Sequence, residues 1–183
     1  MPRLKSLRIL LSALAVGLML TSCFKDVDFS QSQNIALKPD IETGLLYYQL
    51  NENDFLDSQT NNFTPVIRDT VDLEFLDDDY IQDGLMYAEF RFRHENTFDN
   101  RIKSKIRFLN KNGRTEFEVL YEIPAGSYEF PGVIDTILVM EGENIEKVRR
   151  SFPMAVELEM IDGGEKIKGE LGFSSKALFK FEF

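Results

Sequence analysis

His94 is the only imidazole in this 183-residue sequence, Cys23 is the only thiol, and 31 acids stand against 21 bases. Hydrolysis at His94 would need a Ser or Thr nucleophile, and no Gly-x-Ser-x-Gly elbow is present. His94 continues the alternating face of Met86, Ala88, Phe90 and Phe92. It is therefore expected to cap the edge of a core through one hydrogen bond. One Cys and one His are too few for a Cys/His zinc site. The run Asp77-Asp78-Asp79, followed by Asp83-Gly84, could offer oxygens to calcium, but Ile81 occupies the fifth position and no Glu closes the loop. A solvated charged loop is the expected state. Glycoside hydrolysis needs two carboxylates held about 5–10 Å apart, and so many acids nominate no pair. Phosphate loops and nucleotide fingerprints are absent. The expectation is a protein without catalytic residues and without a cofactor.

Binding chemistry is the remaining possibility. Six tyrosines, Tyr47, Tyr48, Tyr80, Tyr87, Tyr121 and Tyr128, could stack on sugars or anchor a protein partner. Tyr80 and Tyr128 fall between strand-like runs, so these two are expected to engage a protein partner from loops. The acidic balance argues against nucleic acid, whose phosphates would have to be neutralised by cations.

Cys23 has a different context. Arg3, Lys5 and Arg8 precede an apolar run from Ile9 to Leu20, too short to span a bilayer, which takes roughly 20 residues, but suited to a signal peptide. The run closes in Leu20-Thr21-Ser22-Cys23, which resembles the lipobox of bacterial lipoproteins. That resemblance implies cleavage before Cys23 and a lipid on its sulfur. Losing the three signal cations takes the net charge from −10 to −13. Phe24 stands where the inner-membrane retention signal would place Asp. The following Lys25-Asp26-Val27-Asp28 resembles the acidic surface-export tag of Bacteroidota lipoproteins, with Val27 interrupting it. Both faces of the outer membrane stay open.

These residues need a scaffold to hold them. Residues 1–22 read as signal, 23–34 as a lipidated start and flexible linker, and 35–183 as one domain. The linker, about eleven residues, has a typical span of about 20 Å. Beyond it the hydrophobic period is two, the mark of half-buried strands. Asn112-Gly113 favours a two-residue type I′ turn, and that turn would place Phe108 opposite Phe117, Ile106 opposite Val119, and Arg107 opposite Glu118. Gly163-Gly164 suggests a second hairpin, setting Met160 against Ile167, Val156 against Leu171 and Met154 against Phe173, with Glu157 against Glu170 as its flaw. Further strands are expected at Leu45–Leu50, Thr70–Leu76, Ile134–Glu141 and Leu178–Phe183, and a helical turn or two at Ile145–Arg150. About eight short strands imply an all-β, antiparallel β-sandwich of the immunoglobulin or fibronectin kind, with a closed barrel as the alternative.

The whole chain resembles small outer-membrane lipoproteins of flavobacteria and their relatives in the Bacteroidota. The resemblance rests on Leu20–Cys23, on Lys25–Asp28, and on Leu45–Leu56 with its Tyr-Tyr-Gln-Leu-Asn and Asp-Phe-Leu. Phe98-Asp99-Asn100-Arg101, Arg107–Gly113 and Gly169–Phe183 continue it. It implies an envelope lipoprotein with a β-sandwich and assigns no functional residue beyond Cys23. The expected function is to bind or scaffold another envelope protein. Glycan binding linked to polysaccharide uptake is the alternative, favoured if an exposed row of Tyr or Phe lies at sugar spacing.

Overall fold

The computed structural model describes residues 36–161 and 167–183. Cys23, the signal, the linker to Ile35 and the Gly163-Gly164 turn lie outside the described residues. Eight strands follow in chain order: β1 Asp40–Asn51, β2 Val66–Asp72, β3 Leu85–Asn96, β4 Ile102–Leu109, β5 Thr115–Ile123, β6 Gly132–Glu141, β7 Pro153–Met160 and β8 Glu170–Phe181. They form two four-stranded sheets, β1-β8-β3-β6 and β2-β7-β4-β5, in which every pairing is antiparallel.

The all-β sandwich is as the alternation requires. The finer immunoglobulin or fibronectin expectation is corrected by the strand order. An immunoglobulin domain pairs strands A, B, E and D against C, F and G. Here the first strand lies beside the last, and the order is that of an eight-stranded jelly roll.

Only β4 and β5 form a hairpin within one sheet. Their register matches the sequence arithmetic from Ile102↔Ile123 through Phe108↔Phe117, then slips by one at Leu109↔Thr115. The turn is longer than expected. The Asn110 amide donates to the Arg114 carbonyl, the Arg114 amide donates to the Asn110 side-chain oxygen, and Gly113 takes φ +72°. A three-residue loop ending in a left-handed glycine, with a bulge beside it, replaces the two-residue turn.

The second hairpin does not form. β7 pairs with β2 and β4, whereas β8 pairs with β1 and β3. Val156 and Leu171 both face the core, from different sheets. Side-chain alternation reports which face is buried and not which strand is the neighbour, so either arrangement satisfies it. The like-charge flaw was the informative sign: Glu157 is instead ion-paired with Arg68 at 2.7 Å, and Glu170 accepts from Gln49 at 2.6 Å.

Aromatic side chains fill the space between the sheets. Phe90, Phe92, Phe108, Phe173 and Phe179 are essentially fully buried, each contributing roughly 1.5–3 kcal/mol. The Phe108 and Phe117 rings stack at 4.3 Å. The expected acidic loop is helical instead: a 3-10 turn, Glu74–Asp77, leads into a short helix, Asp79–Gly84. Asp78 caps that helix by accepting from the Tyr80 and Ile81 amides. The expected helical turn follows β6 as Ile145–Arg149.

Candidate functional site

His94 is fully buried on β3. Its Nε2 lies 3.4 Å from the Tyr48 hydroxyl and its Nδ1 lies 3.2 Å from the Tyr121 hydroxyl. It thus has two partners rather than the single expected bond. One ring nitrogen donates while the other accepts. Burial pulls the His94 pKa down to about 3 and pushes both tyrosines well above their ordinary value. The trio is neutral at physiological pH and links β1, β3 and β5 across the sandwich. The buried Ser104 hydroxyl beside Tyr121 completes no hydrogen bond of good geometry. Such an arrangement fixes the spacing of the sheets and presents no charged base.

Tyr80 and Tyr128 are both 61% exposed, but they do not share a surface. Tyr80 sits in the Asp79–Gly84 helix, not in a loop, with its ring stacked on Phe183 at 4.1 Å. Tyr128 lies between β5 and β6, beside the far end of β3, where Gly126 N–H donates to the Phe98 carbonyl. The twelve residues of β3 separate these ends by roughly 36 Å. Of the other loop aromatics, Phe55 is buried and Phe130 is 79% exposed beside Tyr128.

The position of the chain's entrance orders the two ends. Leu37 exchanges backbone hydrogen bonds with Phe183 at the Tyr80 end. Tyr128 and Phe130 therefore occupy the end remote from the point where residues before Ala36 join the sandwich. Asn96 holds this remote end together. Its side-chain nitrogen donates to the Asn100 and Pro124 carbonyls at 2.8 Å each, and its oxygen accepts from the Phe98 amide at 2.9 Å.

The outer face of the β1-β8-β3-β6 sheet carries a polar trough. Gly172 and Ser174 of β8 form its low floor, and Tyr47, Gln49, Arg93 and Glu95 form its walls. Tyr47 is 73% exposed. Arg91 holds Asp135 with two hydrogen bonds, Arg93 pairs with Glu95, and Lys176 pairs with Glu42. Parity along β1 could have found Tyr47, because its neighbour Tyr48 takes the core side. Of the strand-borne bases, Arg91 and Arg93 lie on this sheet, whereas Lys103, Lys105 and Arg107 lie on the other.

The architecture is that of an eight-stranded jelly roll. No protein-family model matches the sequence, and no curated protein matches it. Among solved structures, a Parabacteroides distasonis protein described as secreted is similar with a TM-score of 0.43 at 14% identity, over 62% of this chain and 37% of its own. The VP2 subviral particle of infectious bursal disease virus gives 0.43 at 8% identity, over 80% and 32%. The enzymatically active domain of bacteriophage CBA120 tailspike protein 4 gives 0.38 at 15%, over 80% and 20%. The chain spans less than two fifths of each of these proteins. Among the described residues no helix is long and apolar enough to cross a membrane.

Proposed function

We propose that this is a non-enzymatic lipoprotein of a Bacteroidota outer membrane, lipid-anchored at Cys23, that binds or scaffolds another envelope protein. The partner docks on the remote end of the sandwich. The observation that carries this reading is the exposure of Tyr128 and Phe130 together, at the end opposite the chain's entrance. Aromatic anchors on loops held by a rigid sandwich are the usual material of recognition. The Asn96 hydrogen bonds preorganise that loop, which reduces the ordering cost of binding.

A photo-crosslinking residue placed at Tyr128 or Phe130 in intact cells tests the reading, with Tyr80 as the control. Discrete adducts are expected from the first two positions only. Equal adducts from all three positions, or none from any, would defeat the remote-end assignment. Cys23→Ala is expected to abolish palmitate labelling, and equal labelling of the variant would defeat the anchor.

A glycan-binding reading has one observation in its favour, the trough beside Tyr47. Against it, the two face-directed tyrosines are opposite Ser174 and Lys180, six positions apart on β8, or roughly 20 Å. They form no row at single-sugar spacing. Slower migration through gels containing neutral glucans, lost in Tyr47→Ala, would favour this reading over the first.

A further inference from the structure

Asp69 breaks the pattern of its strand. In β2, Ile67 opposes Leu158, Asp69 opposes Val156 and Val71 opposes Met154. All three β7 partners are buried core residues, so Ile67, Asp69 and Val71 share the core-facing side of β2. Asp69 is the exposed member of that row, at the open edge of the sandwich, whereas Ile67 and Val71 are half-buried. Val66, Arg68, Thr70 and Asp72 take the outward side.

The space in front of Asp69 is a cleft of about 180 Å³. It exists because β1 and β2 are the edge strands of the two sheets on the same side of the sandwich, and neither pairs with the other. Leu46, Tyr48 and Leu50 of β1 face Ile67 across it, while Val156 and Leu158 make the floor and Tyr47 stands at the rim. Its lining is aliphatic and aromatic apart from the Tyr48 hydroxyl and the Asp69 carboxylate. The hydroxyl is engaged by His94. One carboxylate oxygen accepts from the Thr70 amide at 2.8 Å, and among the described residues no cation forms an ion pair with Asp69.

We propose that this cleft binds a small organic ammonium ion with an apolar body, whose charged head pairs with Asp69. Two features select that chemistry. The apolar walls reward a hydrocarbon body. The single carboxylate of the lining is exposed and has no cation partner among the described residues, so the charged head of a ligand can reach it and form a charge-assisted hydrogen bond. The volume, equal to about six waters, suits a ligand of roughly eight heavy atoms. An anion would meet Asp69 as a like charge. A neutral molecule would gain the apolar contacts alone, without the attraction to Asp69.

Core-facing charges on edge strands also block edge-to-edge association, and the test separates that role from ligand binding. Benzylammonium is titrated into the full-length chain in non-ionic detergent, followed by amide chemical shifts, with benzyl alcohol and benzoate as matched probes. Saturable shifts confined to residues 46–50, 67–71 and 156–158 are expected. Benzyl alcohol should bind at least tenfold more weakly, and benzoate should leave those amides unmoved. Asp69→Asn should weaken benzylammonium at least tenfold and leave benzyl alcohol unchanged. Val156→Phe, or Leu50→Trp at the rim if the first variant fails to fold, should block both. Equal binding of benzylammonium and benzyl alcohol would overturn the proposal. So would undiminished binding to Asp69→Asn, or shifts spread over the other surface acids. Self-association of Asp69→Asn in sedimentation, without any change in ligand affinity, would assign Asp69 to edge protection alone and equally overturn it.

Discussion

The Tyr48 hydroxyl stands 3.4 Å from Nε2 of His94, so the side chain that walls the lateral cleft is tied to the centre of the core. Tyr48 also packs against Phe173 at 4.9 Å between ring centres. The edge strand β1 is therefore held by a polar and an aromatic contact in addition to its ladder with β8.

Acid should destabilise the protein through His94 before the carboxylates respond. Burial holds its folded pKa at about 3, against an ordinary value of 6.5. The unfolded chain therefore binds a proton that the folded one refuses. Its contribution to stability is intact above pH 6.5 and falls as the pH drops toward 3, by about 1.4 kcal/mol per unit. Between pH 6.5 and 5 the parent should lose roughly 1.5–2 kcal/mol in urea unfolding from this group, and His94→Gln should lose almost none. Parallel slopes for the two proteins would refute this account.

Asn96 should matter more to stability than its polarity suggests. Asn96→Ala removes three side-chain hydrogen bonds, two given to the Asn100 and Pro124 carbonyls and one taken from the Phe98 amide, at a cost of roughly 2–4 kcal/mol. Asn96→Asp should cost at least as much at neutral pH, because an oxygen then faces the Asn100 and Pro124 carbonyls. Thermal melts of both variants would measure this. A change below about 1 kcal/mol in either would show that other contacts hold the remote end.

Two glycines should respond oppositely to alanine. Gly113 has φ +72°, so Gly113→Ala should cost about 1–2 kcal/mol and Gly113→Asn less. Gly44 lacks a positive φ, and a Cβ there meets nothing within 4 Å, so Gly44→Ala should stay within about 0.5 kcal/mol of the parent. Equal losses would mean that the turn backbone is not what constrains position 113.

The two exposed tyrosines should differ in their structural role. Tyr80→Ala removes a stack on Phe183 and should cost about 1 kcal/mol, lowering the melting temperature by roughly 2–4 °C. Tyr128→Ala should leave melting nearly unchanged, since no ring contact involves it among the described residues. A large loss at Tyr128 would make it a packing residue instead of an anchor.

Much of the architecture was legible because alternation is local. Ala88 to His94 announces a strand with one buried face, although Met86, expected on the same face, is exposed beside the irregularity between Leu85 and Tyr87. A seven-pair register from Ile102↔Ile123 to Phe108↔Phe117 follows from apolar residues opposing apolar ones and Lys103 and Arg107 opposing glutamates. The lipobox reading of Cys23 likewise belongs to the sequence alone.

Neighbourhood is what the sequence withheld. Val156 and Leu171 alternate as well across a core as they would along a shared ladder, so only the folded chain decides that β7 and β8 part into different sheets. The strand expected at Thr70–Leu76 would begin after Asp69, whereas β2 runs from Val66 to Asp72 and puts this exposed acid in line with Ile67 and Val71. Tyr80 and Tyr128 look alike as exposed tyrosines near loops, yet β3 places them at opposite ends. Whether a side chain points inward is set by parity within a strand. What it meets there is set by contacts between residues distant in the chain, and those exist only once both sheets have closed over Phe90, Phe92 and Phe108.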